Sequence, residues 1–190
     1  HILPDPSSSL SQIHDSKVYQ GLNNSFEENE VKKYLNYNLT PRQKDLACTL
    51  LFELFGESEV ELNEQFYLSR KEIKEMNREG MIIGGHGVNH HPMSNLSIDK
   101  SKEEIENSLS FIEELIDDNP IKTFCYPHGT PHTFSKADIK ILESNTVDFS
   151  FAVESRDILD NDLSKNIHSL PRYDCNEFNY GKVYNARSLI

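Results

Sequence analysis

The sequence predicts an α/β domain built on a mostly parallel sheet or barrel, and three observations predict it. Short apolar runs alternate with helical patterns through the second half of the chain, the helical patterns carry start and stop signals, and histidines cluster directly after the runs. At 190 residues, 36% hydrophobic and 26% charged, the chain is long enough for one domain with its own core.

Residues 1–25 are rich in Ser, Pro and Asn and read as a loop-rich segment. From 26 to about 66 the pattern is helical: Val31, Leu35 and Leu39 share a face, and Thr40-Pro41 opens a helix that stops at Gly56. From 67 onward, Ser69 and Glu72 form a capping-box pattern whose helix runs to Gly80. Met81-Ile82-Ile83 reads as a buried strand entering a glycine turn at Gly84-Gly85. Ser97 caps a long helix, with Ile105, Leu109, Ile112, Leu115 and Ile116 inward and Glu103, Glu104, Glu106, Glu113 and Glu114 on a solvated face. Residues 122–126 read as a strand, 135–145 as a helix, 149–153 as a strand and 168–173 as a last extended piece. Functional residues in such an alternation belong on the loops that follow strands.

Composition excludes some functions. A formal net charge of −12 opposes a nucleic-acid surface, which needs clustered cations against phosphate. The longest apolar run, around Leu46 to Phe55, is interrupted by Glu53 and falls short of the ~20 residues that span a bilayer. Cys48, Cys125 and Cys175 are three, widely and irregularly spaced, which argues for a reducing compartment over a disulfide framework. With no secretory signal visible, the expectation is a cytoplasmic protein.

Chemistry concentrates in His86, His90, His91, His128 and His132, all just after expected strands. His86 and His90 are four apart, and a helical turn would place both imidazoles on one side, within reach of a shared metal ion. The same spacing also arises from two unrelated surface histidines. Its context is more specific. The stretch from Gly80 through His86-Gly-Val-Asn-His90 to Leu96-Ser97 resembles the second motif of the NodB-homology polysaccharide deacetylases, carbohydrate esterase family four and its relatives. Phe124-Cys-Tyr-Pro127-His-Gly129 resembles their third motif, and Leu170-Pro-Arg172 an element near the end of many bacterial members.

That resemblance implies a deformed (β/α) barrel with a helical insertion at 26–66 and hydrolysis of an acetyl group from a sugar or polysaccharide, by water activated on one divalent metal ion, zinc by expectation. His86 and His90 are then metal ligands, and the backbone N–H of His128 an oxyanion donor. Tyr126, Pro127 and Gly129 wall the substrate groove. Arg172 either orients an active-site carboxylate or serves as a structural ion-pair partner. His91 is expected beside the site or at the surface, and His168 lacks the family's usual setting for a general acid. The implied partner is an acetylated carbohydrate.

One departure is substantial. The family's first motif is an Asp-Asp pair on a strand before the histidines, supplying the third ligand and the base, whereas the only adjacent pair here, Asp117-Asp118, follows them. Cys125 stands where many members have a third-motif arginine. Either the chain begins after the first barrel strand, the reading the sequence favours because a barrel lacking that strand exposes unpaired edges, or it is a noncatalytic carbohydrate-binding relative.

Overall fold

The computed structural model describes residues 24–56, 58–117, 119–174 and 177–178. The loop-rich expectation for 1–25 falls almost wholly outside them, as does Cys175. The chain forms two compact units, His1–Gly56 with Asp174–Ile190, and Glu57–Tyr173.

In the first unit, Ser25 and Glu28 cap each other's backbone N–H groups and start α1 (Phe26–Lys33), which widens into a π turn at Tyr34–Asn38. Thr40 and Gln43 cap α2 (Pro41–Phe55), whose first residue is a proline that has no N–H to leave orphaned. It ends at Gly56, held left-handed at φ 68°.

The second unit opens with α3 (Glu59–Phe66) and α4 (Arg70–Arg78), the latter closed at its start by the Ser69–Glu72 capping box that the sequence predicts. Ser97 then caps α5 (Ile98–Leu115). There follow β1 (Thr123–Cys125), α6 (Lys136–Ser144), β2 (Phe149–Phe151) and α7 (Asp160–Lys165). β1 and β2 pair in parallel with Thr123 opposite Phe149. Single parallel bridges extend this pair on both sides, Gly85 to Phe124 and Phe151 to Leu170, and Glu154 bridges Arg172 antiparallel. The expected α/β alternation and parallel pairing are therefore present. Among the described residues they form a short ribbon rather than a closed barrel.

The strand expected at 81–83 does not form a ladder. Only Gly85 pairs, donating its N–H to Thr123 O and accepting from Cys125 N, both at 2.9 Å, while Met81 and Ile82 are about half exposed. Gly84 explains how the chain comes so close to β1: a Cβ there would lie 2.8 Å from the Thr123 carbonyl oxygen.

The core lies between α5, the sheet and α6. Ile105 and Leu109 from α5 meet Phe124, Tyr126, Leu142, Val147 and Met93, and Tyr126 stacks on Phe134 with ring centroids 3.8 Å apart. A second cluster joins Ile112, Leu115 and Ile116 to Ile73 and Ile83. Each fully buried large aliphatic side chain contributes roughly 1.5–3 kcal/mol relative to exposure. The buried stripe of α5 recurs at helical spacing as Ser101, Glu104, Ile105, Ser108, Leu109, Ile112 and Leu115. Its polar members are satisfied: Ser101 Oγ donates to Asp138, which also accepts from Ser135. No helix among the described residues is long and apolar enough to cross a membrane.

Candidate active site

The Gly85 bridge delivers the next residue, His86, to the end of β1. His86 Nδ1 lies 2.6 Å from the Cys125 carbonyl oxygen. A carbonyl only accepts, so Nδ1 carries the hydrogen and Nε2 is left as the basic nitrogen. Metal-binding histidines are oriented in this way, by a backbone acceptor on the other ring nitrogen.

His86 and His90 do come together, with ring centroids 4.9 Å apart. The means differ from the helical turn the spacing suggests. Residues 86–90 form a loop that turns at two left-handed residues, Gly87 at φ 74° and His90 at φ 54°. Glycine adopts that conformation freely, whereas a histidine there is strained, and strain of this kind persists where surrounding contacts over-determine it. His91 turns inward and is buried.

A third ring joins the pair: His128 lies 4.9 Å from His90, centroid to centroid. It too has a positive φ, 62°, at the tip of a three-residue turn closed by Gly129 N–H donating to Pro127 O at 2.7 Å. Gly129 O in turn accepts from Val153 N at 2.7 Å, and a Cβ on Gly129 would lie 2.9 Å from the Val153 side chain. Tyr126 and Pro127, expected against a sugar, are instead fully buried. The Tyr126 hydroxyl donates to His168 O at 2.8 Å, and burial pushes its pKa far up.

Arg172 reaches the same end of the sheet. Its charge acts on the Cys125 thiol, where burial outweighs it and raises the thiol pKa. Arg172 Nε is buried with no hydrogen-bond partner among the described residues. His132, by contrast, is exposed and contacts Thr130. A recess lined by Ile83, Leu109, Ile112 and Thr123 contains none of the histidines, so the site is placed by the rings and not by that concavity. Among the described residues, no group of three or more His, Cys, Asp or Glu side chains stands ready to hold a metal ion.

Sequence reasoning also misplaced Glu104. Expected on a solvated face, it is 8% exposed. Burial opposes its ionisation, but hydrogen bonds from Asn89 and Val88 prevail and hold its carboxyl below the usual range. The signal was present in the period, since Glu104 falls on the stripe of Ser101, Ser108 and Leu109.

His168 is a core residue, its Nδ1 3.2 Å from Ser150 Oγ. Burial lowers its pKa, with Glu143 opposing weakly. The unfolded chain therefore binds a proton that the folded one refuses, so stability is full above the unfolded value of about 6.5 and declines as pH falls below it. Urea unfolding at pH 7.5 and 5.0 should show this decline, and a ring titrating below free histidine by NMR should assign it to His168.

The family model for polysaccharide deacetylases matches residues 33–152. The chain belongs to the polysaccharide deacetylase family. A solved structure similar to it is the Streptococcus pyogenes deacetylase PplD in complex with acetate, at 23% identity and a TM-score of 0.50. That match covers 58% of this chain and 47% of the PplD chain, so the chain spans about half the length of that relative. At this identity the likeness concerns the fold. No curated protein matches the chain.

Proposed function

We propose that this deacetylase-family chain acts in metal-dependent removal of acetyl groups from an acetylated sugar or polysaccharide, with His86 and His90 as ligands to one divalent ion, zinc by preference. The observation that carries the reading is the ring pair, with the His86 tautomer set by the Cys125 carbonyl. Two neutral imidazoles suit zinc. When bound, such an ion supplies Lewis-acid polarisation of a carbonyl.

The chain's own groups fill the other roles. The His128 N–H sits at the tip of a turn pinned through Gly129 to Val153, a rigid setting of the kind an oxyanion donor requires. Gly129 lets that turn lie against Val153. Pro127 opens the turn and, like Tyr126 before it, is fully buried. Arg172, with its unbonded Nε, is suited to orient a carboxylate.

The test is acetate release from N-acetylglucosamine oligomers with added zinc. The expected result is release that a chelator abolishes and zinc restores; release indifferent to the chelator would overturn the metal dependence. A second reading, carbohydrate binding without hydrolysis, draws on the sequence having no Asp-Asp before His86. Saturable oligomer binding with no acetate released would favour it.

A further inference from the structure

The loop between the two histidines has little apolar contact to hold it, since Val88 and Asn89 are both exposed. What holds it is one carboxylate from α5. Glu104 Oε2 accepts the N–H of Val88 at 2.7 Å and of Asn89 at 2.8 Å, and Oε1 accepts from Asn89 Nδ2. Gly87 makes room for this grip: a Cβ there would stand 3.2 Å from Oε2 and 3.3 Å from Pro127 Cγ. Glu104 is itself fixed by its buried neighbours on the helix, Ser101, Ile105 and Ser108.

We propose that Glu104 is a positioning residue for the histidine pair, clamping the 87–89 turn from the helix so that the two imidazoles are held 4.9 Å apart. The proposal rests on His86 and His90 being the metal ligands. Three charge-assisted hydrogen bonds to one rigidly mounted carboxylate replace the helical turn that the four-residue spacing would otherwise need. Without them, Gly87 and the strained His90 are free to relax, and the rings separate. A glutamine in place of Glu104 keeps the volume but turns one acceptor oxygen into an NH₂ that faces donors.

The experiment titrates zinc alone into the full chain by calorimetry, beside Glu104→Gln, Asn89→Ala and the surface control Glu103→Gln. Glu104→Gln should weaken zinc binding by about 10–100-fold, the range seen when an outer partner of a metal ligand is removed. Asn89→Ala, which loses one bond of three, should weaken it less, and Glu103→Gln should leave it within about twofold. The Val88 and Asn89 amide proton shifts should move upfield in Glu104→Gln and not in Glu103→Gln. Zinc affinity unchanged in Glu104→Gln, or unmoved amide shifts, overturns the proposal. If Glu104→Gln does not fold, Asn89→Ala alters only an exposed side chain, and unchanged affinity there overturns it equally. No zinc heat from the unaltered chain, with His86→Ala identical, overturns the ligand assignment and the positioning role with it; the amide shifts still report the Glu104 contact, so the two failures are told apart.

Discussion

His86→Ala should abolish zinc binding by the chain, with a loss larger than the roughly 10–100-fold expected for an outer partner, while its unfolding free energy changes by only about 1 kcal/mol. The first effect follows from removing one of two imidazoles. The second follows from exposure: His86 is at the surface, and water can replace its Nδ1–H on the Cys125 carbonyl. His132→Ala supplies the comparison, because that ring is exposed and contacts Thr130, and its loss should leave zinc affinity unchanged. Calorimetry with zinc and urea unfolding of both variants measure the two quantities. Equal zinc affinity in His86→Ala and the unaltered chain would remove the metal reading.

The parts of the fold legible in the sequence are those encoded by local hydrogen bonds. Thr40 with Gln43, Ser69 with Glu72, and Ser97 each cap the helix predicted for them, because a hydroxyl near the first-turn amides is a short-range arrangement. The strand at 81–83 was misjudged because an apolar run states only a preference for burial. Whether it pairs depends on a partner far along the chain, and only Gly85 found one in Phe124. The histidine pair was legible as a spacing, but not as a geometry. Its rings meet through two left-handed residues and a carboxylate 15 residues beyond Asn89, and no spacing rule contains that contact. Tyr126 shows the opposite error. An aromatic before a motif proline suggested a sugar platform, yet its hydroxyl found His168 O and its ring found Phe134, so the core took it.

Phe124→Ala should cost about 3–5 kcal/mol, the range for emptying a buried aromatic site, against a typical domain stability of roughly 5–15 kcal/mol. Phe124 is fully buried at the middle of β1, edge-on to Tyr126, and it faces Gly85 closely enough that a Cβ there would lie 3.0 Å from its ring. The ring is thus packed against the residue that delivers His86, and its neighbour Cys125 carries the carbonyl that orients His86. A cavity at this point gives Gly85 room to shift, and any shift lengthens the bond that sets the His86 tautomer. Phe124→Ala should therefore lose zinc affinity as well as stability, even at temperatures where the variant remains folded. Phe111→Ala is the discriminating control, since Phe111 is 38% exposed on α5 beneath Arg70 and lies outside the buried cluster around Phe124. It should cost less in urea unfolding and leave zinc binding intact. Equal losses in the two variants would mean that the core around β1 holds the domain together without holding the site.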